Sequence, residues 1–108
     1  MSDLHLHVKT EYFDAIKRGE KTEEYRLYND YWRHRLGGDY GNMGVVIIRF
    51  NKIVIHNAYK AGEENRLTFP WRGWTLKTIT HTHFGPEPVT AFAIKLEKPH
   101  GHILQIHN

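Results

Sequence analysis

Apolar and polar residues alternate along several stretches of the chain, and each such stretch predicts a strand. The clearest runs from Leu4 to Lys9, where leucine or valine at the even positions would face a core and histidine at the odd positions would face away. Turn residues separate the other β-rich stretches, which lie at 22–28, 45–50, 53–58, 67–79, 89–96 and 102–106. Pro70 and Gly73 break the fourth of these with a bend, so we expect about six strands.

Helical spacing predicts a short helix from Glu11 to Arg18. Phe13 and Ile16 form its buried stripe, Thr10 stands at the predicted N-cap and Gly19 at the position that ends it. An acid in the first turn and bases in the last complement the helix dipole.

A second short helix is predicted from Asp30 to Leu36, with Asn29 as its cap and Gly37 and Gly38 as its stop. The glycine-rich segment from Asp39 to Gly44 is predicted to be a loop. Strands and helices do not alternate strictly, which favours a small mixed α+β or barrel-like fold over a parallel sheet. A length of 108 residues suits a single domain over residues 1–108.

The composition narrows the functional classes only modestly. A formal charge of +3 permits an anionic partner, and an aromatic content of 13% suits either a β-rich core or a surface that stacks on bases. The absence of cysteine excludes disulfides and thiolate metal sites and fits a reducing compartment. We expect no cofactor.

The first residues show no export signal, and no apolar stretch of the sequence predicts a membrane span. The first residues lack a basic segment followed by an apolar one, and the longest apolar run, Val45 to Ile48, is too short to span a bilayer. We therefore expect a soluble, cytoplasmic protein with no membrane partner.

The richest chemistry follows the first predicted helix, where Lys21, Glu24 and Arg26 lie within six residues. On a strand, Glu24 and Arg26 share one face. A carboxylate beside two cations can accept from a base amino group while the cations donate to carbonyl or phosphate oxygens. The same spacing also fits an exposed ladder of surface charges, which contributes little to stability.

The chain resembles the ASCH domains of the PUA-like superfamily, in particular their short stand-alone bacterial and phage members. The resemblance rests on the pattern Gly19-x-Lys21-x-x-Glu24-x-Arg26, preceded by a strand ending in Val8-Lys9 and a helix with Tyr12-Phe13 and Ile16. Two later segments also match, Asn57-Ala58-Tyr59 and Arg66-Leu67-Thr68-Phe69, and Phe92 to Leu96 is similar to the closing strand.

The resemblance implies a small β-barrel with a helix plugging one side, and either of two kinds of activity. ASCH domains are associated with RNA binding, while some members remove the acetyl group from N4-acetylcytidine and one is a ribonuclease. The deacetylating members resemble this chain at Lys21 but carry threonine at the position of Glu24. They use a further carboxylate, for which Glu63 and Glu64 are candidates by position.

We therefore expect a domain that binds RNA or a modified nucleoside, with hydrolysis of N4-acetylcytidine or of RNA as the alternative. Lys21 and Glu24 are the catalytic candidates. Trp71 and Trp74 are alternative stacking residues, although such spacing more often packs the end of a barrel. The predicted ligand-binding residues are Lys9, Lys21, Glu24, Arg26, Tyr59 and Arg66.

Three further interpretations follow from other residues. The H-x-H pairs at 5/7, 81/83 and 100/102 place two imidazoles on one strand face, yet no other metal-binding pattern accompanies them, so we expect no metal. His7 or His56 with a nearby cation would suit a ribonuclease. The aromatic segment from Leu67 to Trp74 would suit a protein-interaction module.

Overall fold

The computed structural model describes residues 1–97, which contain two α-helices and eight strands. The fold is mixed α+β, as the sequence predicts. Three sheets are present, and none of them closes into a barrel within these residues. In chain order the elements are β1 (Leu4–Val8), α1 (Thr10–Lys17), β2 (Glu23–Leu27), α2 (Asp30–Leu36), β3 (Gly37–Asp39), β4 (Val45–Ile47), β5 (Lys52–Asn57), β6 (Arg66–Pro70), β7 (Trp74–Ile79) and β8 (Val89–Lys95).

The elements fall into two units, each assembled from separate stretches of chain. The first unit contains Met1–Thr22 and Phe50–Arg72, together with the described residues Leu96 and Glu97. The second contains Glu23–Arg49 and Gly73–Lys95. The prediction of one domain over residues 1–108 stays a prediction.

The first unit is a sheet with the order β1-β5-β6, on which α1 packs. β1 and β5 are parallel and β6 is antiparallel to β5. β1 shows the predicted alternation, since Leu4, Leu6 and Val8 are buried and the two histidines between them are exposed. The stripe of α1, Phe13 and Ile16, is buried as predicted.

The C-terminal end of α1 agrees with the sequence prediction, whereas its N-terminal end does not. Gly19 has φ 81°, its N–H donates to the carbonyl of Ile16, and Glu20 N–H donates to Ala15. This is a Schellman ending, which needs a residue that tolerates positive φ. Thr10 is the first helical residue rather than the N-cap, because its hydroxyl donates instead to the Asn57 side chain at 3.1 Å.

The second unit contains an antiparallel sheet with the order β2-β8-β7 and a two-stranded sheet of β3 and β4. The central strand β8 is buried on both faces, from Ala91 to Ile94. α2 has the predicted bounds, and the side chain of Asn29 caps it by accepting from Trp32 N–H at 3.0 Å. Leu36 is its buried residue.

The strand predicted at 45–50 is wrong in length. β4 covers only Val45–Ile47, and all three residues are more than two-fifths exposed. Its partner β3 is Gly37-Gly38-Asp39, taken partly from the predicted loop, and glycines present no side chains to cover a neighbour. A Cβ at Gly37 would collide with the carbonyl oxygen of Val46, so the two backbones approach closely.

The predicted bend within 67–79 is present and separates β6 from β7, which belong to different sheets. Gly73 has φ 77° in this bend. The stretch from His81 to Pro88 is mainly loop, with a short 3-10 turn at Thr82–Phe84. The strand predicted at 102–106 lies outside the described residues.

Candidate functional site

Glu24 and Arg26 lie on the same face of β2 and form an ion pair, with Oε2 of Glu24 at 2.8 Å from Nη2 of Arg26. The side chains are only 10% and 19% exposed, respectively. A charge ladder on the surface, the alternative in the sequence, would leave both in water. Separating a buried ion pair leaves each charge without compensation, which is costly. The pair therefore holds the two side chains together.

Arg26 also stacks on an aromatic ring of α2. Its guanidinium carbon lies 5.0 Å from the centroid of the Trp32 ring. Arg35 lies 5.7 Å from the same ring and from the ring of Tyr31, which is 62% exposed. A guanidinium is attracted to the face of the indole or phenol ring below it. This surface therefore combines positive charge with aromatic faces.

A second arginine–aromatic stack lies beside the C-terminal end of α2. Arg33 is placed over Tyr28 at 4.9 Å and over Tyr40 at 5.2 Å from the ring centroids. The Tyr28 hydroxyl accepts from the backbone N–H of Asp39 at 2.9 Å, which fixes that ring. A Cβ at Gly38 would lie 2.9 Å from the Tyr28 hydroxyl, so this glycine leaves room for the stack.

The opposite face of β2 carries a separate polar cluster. Lys77 Nζ contacts both oxygens of Glu23, at 2.8 and 2.9 Å, and the Tyr25 hydroxyl donates to the same carboxylate at 2.8 Å. Burial, and then the hydrogen bond to Glu23, raise the pKa of Tyr25 to about 12. Tyr25 therefore keeps its proton at neutral pH and acts as a donor.

The other predicted ligand residues belong to the first unit. Lys21 Nζ lies 5.9 Å from the centroid of the Tyr12 ring. Lys9 is exposed just before α1, and Arg66 is exposed at the start of β6. Tyr59 is 70% exposed and follows the buried Asn57, whose side-chain oxygen accepts from the Tyr59 N–H at 3.0 Å.

The six predicted residues are thus divided between the units, with Glu24 and Arg26 joined in the second. Glu63 and Glu64, the candidate further carboxylates, are exposed in a 3-10 turn of the first unit. The structure does not bring the predicted catalytic pair of Lys21 and Glu24 into one unit.

The two alternative stacking tryptophans have packing roles. Trp74 is buried, its indole N–H donates to the carbonyl of Leu36 at 2.7 Å, and its ring packs edge-on against Phe92. Trp71 packs edge-on against Phe50. The buried ring of Trp74 is not available to a ligand.

Sequence reasoning missed the contribution of α2. Its residues Tyr31, Trp32, Arg33 and Arg35 were assigned only to a helix, although their density of arginine and aromatic side chains was visible in the sequence. Helical spacing alone does not reveal that β2 supplies the partner Arg26, or that the residues just after β2 and β3 supply the partners Tyr28 and Tyr40.

Three histidines of the first unit meet on the β1–β5 pair, but they do not form a metal site. His5 Nδ1 lies 2.9 Å from His56 Nε2, and the His7 ring stacks on His56 with centroids 4.6 Å apart. Within residues 1–97, no group of three or more histidine or acidic side chains is arranged to hold a metal. The pair at 100 and 102 lies outside the described residues.

Comparison of the sequence with protein-family models found no match, and neither did comparisons with characterised proteins and with solved structures. The helices of the described part of the chain are all too short or too polar to cross a membrane.

Proposed function

We propose that the protein is an ASCH-like, PUA-like domain that binds single-stranded RNA or a modified nucleoside. The observation that carries the proposal is the Arg26 guanidinium, which lies on the Trp32 ring and is fixed by the largely buried carboxylate of Glu24. Proteins that bind unpaired bases present such aromatic and guanidinium planes to them.

Each residue of this stack has a role that follows from its chemistry. Trp32, with the exposed ring of Tyr31 beside it, offers a face on which a base stacks. Arg26 donates to a carbonyl or phosphate oxygen, and Glu24 accepts from an exocyclic amino group such as that of cytosine. Arg35 adds positive charge at the same surface.

The first unit, taken by itself, carries the remaining predicted ligand residues. In this proposal Lys9, Lys21 and Arg66 contact phosphate or carbonyl oxygens of nucleic acid bound at that unit. Tyr59 stacks on a base, which its exposure of 70% permits. These contacts supply affinity without reading the base, as phosphate contacts do in general.

Binding is proposed in preference to hydrolysis because the deacetylating ASCH members carry threonine at the position of Glu24, and because the Glu24 carboxylate is paired with Arg26. The hydrolase alternative is tested directly by incubating the protein with N4-acetylcytidine and with labelled RNA. Product formed in proportion to protein concentration would replace the binding proposal with an enzymatic one.

The proposal is tested by measuring the affinity for single-stranded RNA oligonucleotides and for cytidine nucleosides by fluorescence anisotropy and calorimetry. Trp32→Ala and Arg26→Ala are each expected to weaken binding by about 5- to 150-fold, which corresponds to a loss of about 1–3 kcal/mol. Glu24→Ala is expected to weaken nucleoside binding more than phosphate-driven RNA binding.

Arg18→Ala is the matched control, because it also removes one arginine, but one that is exposed and paired with Glu20 on the surface. It should change RNA affinity less than twofold or threefold, the effect of one screened charge. Equal losses in Arg18→Ala and Arg26→Ala, or unchanged binding in Trp32→Ala, would contradict the proposal.

A further inference from the structure

One face of the β1-β5-β6 sheet carries basic side chains from all three strands. Because side chains alternate along a strand, the face opposite the buried Leu6 presents His5 and His7 of β1. Paired residues in a sheet point the same way, and the register aligns His7 with His56 and His56 with Arg66. A basic row therefore crosses the sheet.

The three imidazoles are in direct contact. His5 and His56 share a hydrogen bond of 2.9 Å between Nδ1 and Nε2, and their rings are stacked with centroids 5.1 Å apart. The rings of His7 and His56 are 4.6 Å apart and within 17° of parallel. The two outer rings are exposed and the His56 ring is partly covered.

The charged groups around His56 all repel an added proton. Burial is the largest cause that lowers the pKa of His56, followed by the charges of His7, His5 and Arg66. Lys52 lies on the same face of β5, two residues before Val54. Among the residues of these three strands that the structure describes, no carboxylate occupies a position on this face.

We propose that this face is a second binding site, which takes the phosphate backbone of single-stranded nucleic acid and tightens as its imidazoles are protonated. Charge complementarity selects the ligand, since the protonated row offers cations and N–H donors to an anion. The site uses none of the residues of the Glu24–Arg26–Trp32 stack and goes beyond that proposed function. Histidine rings also stack on bases, so the same face serves an unpaired strand better than a duplex.

The hydrogen bond between His5 and His56 links the binding of an anion to protonation of the two rings. One nitrogen of that pair must act as acceptor, so at least one of the two rings is neutral while the bond exists. When both rings carry two protons, the acceptor is lost and both nitrogens become donors. A phosphate oxygen then receives both N–H groups and offsets the repulsion between the rings.

The test is the affinity for a uridine oligonucleotide of about ten bases, measured at about pH 5.5 and about pH 8, on either side of the usual histidine range. The full protein is expected to bind at least about tenfold more tightly at the lower pH, with a salt dependence steeper by about two in log–log slope because of the added phosphate contacts. The double variant His5→Gln/His56→Gln should lose most of this gain.

His81→Gln/His83→Gln is the matched control, because it also removes two neighbouring imidazoles, but from the second unit. It should keep the full pH-dependent gain. In the unaltered protein, a histidine titration followed by NMR should show the pKa of His56 rising when the oligonucleotide is present, which requires no variant to fold.

An unchanged pKa of His56 on binding, equal gains in both double variants, or the same gain with polyglutamate would each overturn the proposal. The two proposals fail separately. Trp32→Ala is expected to weaken binding at about pH 8 and to leave the acid-dependent gain in place, since Trp32 belongs to the second unit and the histidine face belongs to the first. Loss of the gain together with intact binding at the higher pH would remove only the sheet-face site.

Discussion

A glutamate side chain that is only 10% exposed needs a partner for its charge, and in this protein the partner is two residues away on the same strand. The pairing of Glu24 with Arg26 holds the guanidinium plane on the ring of Trp32. A lysine in place of Arg26 would keep the charge but lose the planar stack, so the residue type matters as much as its charge. The proposed recognition of a base therefore depends on a planar cation that its carboxylate partner holds in place.

At the scale of single residues, Gly37 is expected to be the glycine least tolerant of a side chain. Its φ is 103°, and a Cβ would meet the carbonyl oxygen of Val46. Gly37→Ala should lower the free energy of unfolding by at least about 2 kcal/mol more than Gly44→Ala, because overpacking adds to the backbone strain. Urea denaturation measures both.

Gly44 is the control because it also has a positive φ, 92°, but has nothing within 4 Å of an added Cβ. Equal losses of unfolding free energy in the two variants would show that backbone strain, and not the contact with Val46, destabilises Gly37→Ala.

The lowered pKa of His56 predicts how stability changes with pH. The pKa of His56 is lower in the folded state than in the unfolded state, where it is about 6.5. The contribution of such a histidine to stability is fully present at pH values above the unfolded-state pKa, and it is lost as the pH falls through the folded-state pKa. Stability should therefore fall between about pH 7.5 and about pH 5, and His56→Gln should make that fall shallower. An identical pH profile in the variant would contradict this assignment.

Period-two alternation was enough to predict that Glu24 and Arg26 share a face, and the ion pair confirms it. The burial of the pair was not predictable, because a strand containing Glu23, Glu24 and Arg26 has no apolar stripe. The partners Trp32 and Tyr28 depend on how α2 meets its own sheet, which no local pattern encodes.

At the scale of elements, the cap of α2 positions the proposed stacking ring. The Asn29 side chain accepts from the backbone N–H of Trp32 at 3.0 Å. Asn29→Ala should lower the free energy of unfolding by about 0.5–2 kcal/mol, the usual cost of losing such a cap. It should also weaken RNA binding through the displaced indole.

Asn29→Asp is the matched variant, since a carboxylate caps a helix as well as an amide does. Stability and RNA affinity should both return close to their original values. If Asn29→Ala changes neither quantity, the cap does not position Trp32.

The elements that could be predicted are those with a local cause. Gly19 ends α1 because of its backbone freedom, and Asn29 begins α2 through its side chain. The strand from Val45 was overestimated because its β-branched residues fit a strand well, whereas its extent is set by pairing with the short Gly37–Asp39 strand. Pairing partners distant in sequence determine such lengths.

At the scale of the whole molecule, the division into two units separates residues that are neighbours in the sequence. The boundary between Thr22 and Glu23 passes through the charged motif, so Lys21 falls in one unit and Glu24 in the other. Spacing along the chain suggested one constellation of Lys21, Glu24 and Arg26, but the fold divides these residues between the two units. The second unit joins the carboxylate of Glu24, the guanidinium of Arg26 and the indole of Trp32.

The proposed function requires that a base stacks on Trp32 beside Arg26. The most direct measurement is an NMR titration of the protein with a single-stranded RNA oligonucleotide, following the indole N–H resonances of the three tryptophans. Trp74, whose indole N–H is bonded to Leu36 inside the protein, serves as the internal reference.

We expect the Trp32 indole resonance and the Arg26 side-chain resonances to shift in step as RNA is added, while the Trp74 resonance stays in place. Saturating RNA that leaves Trp32 and Arg26 unshifted would contradict base stacking at this site.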